Sequence, residues 1–413
     1  MMNSRRVVIT GVGLLTPLGH SLGELWESLT AGRSGIQAMP GWSDVGLGLK
    51  TGVAAPVSNF DERSFERKKR RSMSRVSLLA TQATAQAIED ARLAEDVIGN
   101  QRTGISYGSS MGGTSAIEEY YRGVVETKSL IQGVYSTTFL KIMSHTCAAN
   151  IAVTFGIPGR VIASCTACAA STQAIGFGWE AIKNGYADTM ICGGAEELTP
   201  AVAAVFDALS ATSQGYNSRP QQTPRPFCKN RDGMVVGEGA GTIILESLEH
   251  AKKRGAKIYG EIKGFFTNND AVHMTNPSTQ GLRSCMEGAL EAAGLRPGDI
   301  DYVNAHATGT ENGDVAESLA VESLFGSSTP ISSSKGNYGH LLGAAGVVET
   351  ATCIKMLETS TVLPTLNQDT IDPQCGKVDF VMGKTRNKAL KNIMKNSFAL
   401  GGINATLILS KVD

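Results

Sequence analysis

The chain has 413 residues with 38 basic and 38 acidic side chains, so its formal net charge is zero. That balance excludes a nucleic-acid binder driven by global charge. The length exceeds what one core usually serves, so two units, or one fused double unit, are expected. Hydrophobic residues make up 42% and glycines number 47, which excludes a mainly disordered chain and points to many tight turns and close backbone approaches.

In chain order, β-branched runs alternate with Ala-rich runs of helical period. Strands are predicted at 6–10, 104–107, 161–163, 189–193, 241–246, 257–264, 302–305 and 405–410. Helices are predicted at 75–91, 169–184, 248–254, 281–293, 314–325 and 346–358. Such alternation argues an α/β architecture. A soft boundary falls near residues 254–257, where a helix gives way to a strand, so the expected units are 1–255 and 256–413. No run of ~18 apolar residues suggests a membrane span. The N-terminal residues run straight into a strand, with no apolar stretch and cleavage site of a secretory signal. Eight scattered cysteines, several in apolar surroundings, fit reduced thiols of a cytoplasmic protein better than a disulfide framework. Gly11-Val-Gly13 and Gly237-Glu-Gly239-Ala-Gly241 do not open helices as a phosphate cradle requires, so both read as close packing or tight turns.

The most informative segment is Val161-Ile-Ala-Ser-Cys-Thr-Ala-Cys168-Ala-Ala-Ser-Thr172. A β-branched run meets a small-residue turn and then an Ala-rich helix that stops at Asn184-Gly185. Cys168 therefore belongs at a helix N-terminus, where the macrodipole and unpaired N–H groups favour a thiolate nucleophile. Cys165 and Cys168 also form a C-x-x-C, which leaves a redox dithiol, half of a zinc site or an inert buried thiol as alternatives. There is no second C-x-x-C to complete a zinc site. Two further segments place a histidine between a strand and a glycine-rich turn: Val303-Asn-Ala-His306-Ala-Thr-Gly-Thr310 and Ser334-Lys335-Gly-Asn-Tyr-Gly-His340-Leu-Leu-Gly-Ala-Ala-Gly346. A lone histidine in a turn is more often structural, but two in matching settings shift that balance.

Together TACAAS, NAHATGT, SSSKGNYGH-LLGAAG and NSFALGGINATL, with the N-terminal RRVVITGVGLLTPLG and RPFCKNRDGMVVGEGAG, resemble the β-ketoacyl-acyl-carrier-protein synthases of types I and II over the length from Arg6 to about Lys411. The resemblance implies a thiolase-like five-layer α-β-α-β-α fold of two similar halves, normally dimeric. It implies Cys168 as the nucleophile that takes the acyl chain, and His306 and His340 as the pair that assists decarboxylation of a malonyl-carrier thioester. Lys335 would be the family's lysine near the second histidine, ordering a network with the structural Glu349. The oxyanion hole would use the backbone N–H groups of Cys168 and Leu400. Thr308 and Thr310 would hold the pantetheine arm, while Phe398 and Leu400 would shape the acyl pocket. Met111 would line that pocket at the dimer interface, with an ordinary core methionine as the alternative. No metal or organic cofactor is implied.

Departures from the family pattern fall at Phe398-Ala399-Leu400, where a Phe-Gly-Phe is usual, at Cys228 for an Asp, and at Ala307 for a Gly. They hint at a specialised synthase, such as one making a polyene or polyketide. The run Glu66–Arg75 carries six positive charges and one negative. Arg67, Lys68 and Arg71 in it match the family's docking patch for acidic acyl carrier protein, loaded with acyl or malonyl groups; the alternatives are a merely solvated face or a localisation-like match. The expected assembly is a homodimer, or a heterodimer with a related ketosynthase-like subunit, with no nucleic acid or membrane partner. The competing reading is a non-condensing, chain-length-factor-like partner subunit. In such subunits the nucleophile is usually lost, whereas Cys168 and both histidines are present here.

Overall fold

In the computed structural model, residues 5–43, 48–132 and 134–412 are described. Eleven strands form one sheet in the order Asp379–Phe380, Pro330–Ser332, Tyr302–Asn304, Asn392–Ala399, Ile403–Ser410, Gly260–Asn269, Val7–Leu15, Gly239–Ser247, Thr189–Glu196, Thr103–Gly108 and Val161–Ser164. The middle of this order is a short antiparallel join, Val7–Ile9 against Gly260–Ile262.

Outward from that join, the two sides repeat each other. On each, the chain's first strand pairs with its fifth, the fifth with the fourth, the fourth with the second and the second with the third. The first two of these pairings are antiparallel and the last two parallel on both sides. Asp379–Phe380 is an extra edge strand on the second side.

Two helices, Ala170–Lys183 and Ala345–Thr359, pack against strands of both sides and are buried along most of their length. Among the described residues the strands of the two sides are joined only at that short central pairing, and the sides face each other across these helices as a first and a second sheet layer. The helices are rich in Ala, Gly, Ser and Thr, which keeps both contacts close. The Trp179 indole N–H donates to the Ile262 carbonyl at 2.7 Å, tying one central helix to the second sheet. Outside the first sheet lie Arg75–Ala91 and Thr146–Phe155; outside the second lie Thr279–Ala293 and, beside it, Glu311–Phe325. The result is five layers, helix–sheet–helix–sheet–helix.

Ser74 starts the outer helix Arg75–Ala91, its backbone N–H bonding the Ser77 hydroxyl at 2.9 Å, the reciprocal arrangement of a capping box. Gly13 lies within the first strand, not in a turn. A Cβ there would stand 2.0 Å from the Ala83 carbonyl oxygen, so its glycine serves close helix–sheet packing. Asn184 caps the first central helix and Gly185 follows at φ +77°, which is the stop expected from Asn-Gly. The helices of nine residues or more that went unpredicted are Leu22–Thr30, Thr114–Thr127, Thr146–Phe155 and Pro200–Ala208; several shorter helices and strands did too, among them Pro330–Ser332, and so did the long strand Asn392–Ala399. The last holds Lys395, Asn396 and Ser397 in a strand paired on both edges, so a polar sequence occupies the sheet interior.

Candidate active site

Both halves deliver their reactive groups by the same backbone device. After Val161–Ser164 the chain reaches Ala167 at φ +47°, makes the 3₁₀ turn Ala167–Ala169 and enters Ala170–Lys183. In the second half Leu342, also at φ +47°, opens the turn Leu342–Ala344 ahead of Ala345–Thr359. Left-handed backbone is uncommon for such residues, and strain of this kind gathers at functional sites. The two central helices meet at their starts. A Cβ on Gly346 would stand 2.1 Å from the Thr172 hydroxyl, and the Val347 N–H donates to Ser171 Oγ at 3.1 Å. That contact brings the Cys168 turn against the His340 turn.

His306 follows Tyr302–Asn304. Its backbone N–H and that of Ala307 donate to the Glu317 carboxylate at 2.9 and 2.7 Å. Burial lifts Glu317 to about 7. His340 is held by its backbone N–H on the Val235 carbonyl at 2.7 Å, and among the described residues neither of its ring nitrogens has a hydrogen-bond partner. Cys168 Sγ and one ring nitrogen from each of His306 and His340 lie within 4.8 Å of one another. All three residues are buried.

Lys335 adjoins His340 in sequence but serves the other histidine in space: its Nζ is 3.5 Å from His306 Nδ1 and donates to Glu349 Oε1. An ammonium facing Nδ1 favours the tautomer with its proton on Nε2, leaving that N–H as the donor. Glu349 Oε2 lies 3.0 Å from Nζ of a second buried lysine, Lys395.

Burial is the main cause that pulls both histidines well below the usual imidazole range. Lys335, His340 and Lys395 add to it for His306, and Lys335 and Lys395 for His340. Both rings are therefore neutral at physiological pH. For Cys168 the outcome corrects the expectation of a dipole-stabilised thiolate. The helix start is there, but burial pushes the thiol up to about 12, with Glu196 and Glu349 pushing the same way and Lys335 opposing. Desolvation outweighs the terminus because the thiol is enclosed.

A cavity of about 400 Å³ reaches these groups. Thr308, Thr310, Phe398 and Leu400 line it together with Cys168 and both histidines. The Thr308 and Thr310 hydroxyls are 3.1 Å apart, and the Phe398 ring is 6.3 Å from that of His306. Leu400 is 38% exposed. Met111 is 49% exposed and is not part of this lining. Arg67, Lys68 and Arg71 are exposed just ahead of the helix Arg75–Ala91. Cys228 is buried elsewhere, its thiol donating to Asp369 Oδ1 at 3.0 Å. Sequence reasoning missed Glu317 and Lys395 behind the histidines, and Phe206 and the 273–277 segment in the cavity wall. Glu317, eleven residues after His306, had only its place in a predicted helix as a signal.

A thiol and two neutral imidazoles converge at the junction of two repeated halves, in the lining of a cavity of about 400 Å³. Fold and site together define an acyl-transferring, condensing enzyme of the thiolase fold.

The family models for the β-ketoacyl synthase N-terminal and C-terminal domains match residues 4–251 and 259–369. The 3-oxoacyl-[acyl-carrier-protein] synthase 1 of Haemophilus influenzae is 37% identical over 413 residues, 99% of this chain and 100% of that one. A β-ketoacyl synthase from Burkholderia phymatum has the same fold, with a TM-score of 0.95, 44% identity and coverage of 99% and 100%. A type II polyketide ketosynthase solved with its acyl-carrier protein and bound to the hexaketide matches with a TM-score of 0.91, at 32% identity and the same coverage. The chain belongs to the β-ketoacyl synthase family.

Proposed function

We propose that this enzyme condenses an acyl group held on Cys168 with a malonyl-acyl-carrier protein, releasing CO2 and 3-oxoacyl-acyl-carrier protein, in fatty-acid or specialised polyene or polyketide elongation. The observation that carries this reading is the meeting of Cys168 Sγ with nitrogens of both neutral histidines. In the first step the Cys168 sulfur adds to the acyl-carrier thioester carbonyl. The S–H proton goes to the departing carrier thiolate, and the backbone N–H groups of Cys168 and Leu400 receive the carbonyl oxygen. In the second step the malonyl carboxylate leaves as CO2. Its electron pair forms an enolate, whose oxygen accepts N–H bonds from His306 and His340, donors that need no rearrangement as charge develops. The enolate carbon attacks the acyl carbonyl, and the Cys168 thiolate leaves and takes up a proton. Lys335 and Glu349 hold the His306 ring; Thr308 and Thr310 face the pantetheine arm.

The carrier would dock at Arg67, Lys68 and Arg71. The halves divide at 255/256 in this reading, consistent with the gap between the two family matches. A dimer, with itself or with a related ketosynthase-like subunit, is supported by exposed apolar residues on adjoining elements: Tyr121, Ile131, Phe139 and Val161, the last on an edge strand. Met111 would meet the partner there. A cytoplasmic location fits eight unpaired cysteines; among the described residues no helix is long and apolar enough to cross a membrane. The decisive test is Cys168→Ala: 3-oxoacyl product formed from acyl- and malonyl-carrier at the parent rate would refute the reading.

A further inference from the structure

Lys395 is a buried lysine that the condensation steps leave unused. It stands in Asn392–Ala399 with its side chain fully buried, a placement that an ammonium tolerates only with partners. It has three. Its Nζ donates to Thr172 Oγ1 at 2.7 Å and to Ser397 Oγ, and lies 3.0 Å from Glu349 Oε2. The other oxygen of Glu349 takes Lys335, whose Nζ faces His306 Nδ1. One carboxylate is thus shared by two lysines. A neutral residue at position 395 would leave a balanced Lys335–Glu349 pair. The second lysine adds a further positive charge to that pair, while the other buried carboxylate nearby, Glu317, is taken up by the N–H groups of His306 and Ala307 and by Asn396; adhesion alone does not explain that choice.

We infer that Lys395 is a positioning residue for the condensation: by engaging Glu349 Oε2 it fixes the carboxylate that aims Lys335 at His306, and it places a surplus positive charge behind the two histidines. The inference deepens the proposed function and rests on its neutral, hydrogen-bond-donating histidines. The titratable groups that interact with Lys395 are Glu349 and Cys353 from the helix Ala345–Thr359, Lys335 from the turn Lys335–Tyr338, and the two imidazoles. Glu317 from the helix Glu311–Phe325 holds the His306 backbone and faces Lys335, and Cys168 adjoins both rings. A positive neighbour disfavours imidazolium, so Lys395 keeps both rings neutral to lower pH, and its removal moves their protonation to higher pH.

The test uses the whole protein with 15N-labelled histidine, titrated from pH 9 to pH 4.5 as the parent, Lys395→Met and Lys395→Gln. Long-range 1H–15N spectra report the state of each ring among six histidines, with His306 and His340 assigned by single substitution. The expected result is protonation of His306, His340 or both at about tenfold lower proton concentration than in the parent. The acid limb of malonyl-carrier decarboxylation, normalised to each variant's plateau, should move the same way. Gln keeps a donor for Glu349 without charge and serves if Met does not fold. Ring titrations and an acid limb unchanged in a folded variant, with only the melting temperature lowered, would overturn the inference and leave Lys395 as packing. Ring titration is read without turnover, so a failure here is distinct from a failure of the Cys168→Ala test.

Discussion

The imidazoles of His306 and His340 meet edge to face, with ring centroids 5.2 Å apart and planes at 82°. In that arrangement the two rings can donate to one oxygen, and two imidazolium ions at this separation would repel, so the pair resists double protonation. The burial of both, and the lysines behind them, keep the rings neutral.

His306→Ala and His340→Ala should therefore spare the first half-reaction and damage the second. Acylation of Cys168 from acyl-carrier, followed by intact mass, should persist. Release of CO2 from malonyl-carrier should fall by ~10²–10³ for each, the usual effect of removing one preorganised donor. Equal loss of both steps would end this division of labour.

Burial holds the Cys168 thiol near 12 and Lys335 draws it down. The thiolate fraction then rises ~tenfold per pH unit from pH 7 to pH 10. Alkylation of Cys168 by iodoacetamide, read as peptide mass, should follow that slope without a plateau. Lys335→Met removes the opposing positive charge and should slow alkylation throughout. A plateau near pH 8 would show a thiol already ionised.

Leu400 borders the cavity at a position where the family usually carries an aromatic gate, and leucine lacks that flat face. Leu400→Phe should lower kcat/KM for conjugated or bulky acyl chains about tenfold more than for short saturated ones, because specificity is a difference in transition-state binding. An unchanged ratio would remove Leu400 from chain selection.

Arg67→Glu with Lys68→Glu reverses charge on an exposed turn. KM for carrier-bound substrate should rise roughly tenfold at low salt, with the effect shrinking as ionic strength grows, while a small pantetheine thioester reacts as before. Equal losses with both substrates would assign the turn to structure.

Most strands beside the site were legible because short β-branched runs ended at small-residue turns. Asn392–Ala399 was not, since its Lys-Asn-Ser centre reads as solvent-facing until strands on both edges enclose it. Glu317 was missed for a similar reason. Its carboxylate anchors the His306 loop through backbone N–H groups, and no side-chain pattern records such a bond.

What the sequence by itself determined were the reactive side chains and their local settings. Cys168, His306, Lys335 and His340 each sit at a turn whose small residues are readable in place, and helix and strand periods follow from neighbours a few residues away. Only the tertiary structure decided what those groups are. It paired Lys335 with His306, 29 residues earlier, rather than with nearby His340. It also raised the Cys168 thiol where the helix start alone argued for lowering it, and set Lys395 behind the histidines. Desolvation and Coulomb forces act through space, so they depend on which distant segments the two sheets press together, and residue spacing carries no record of that.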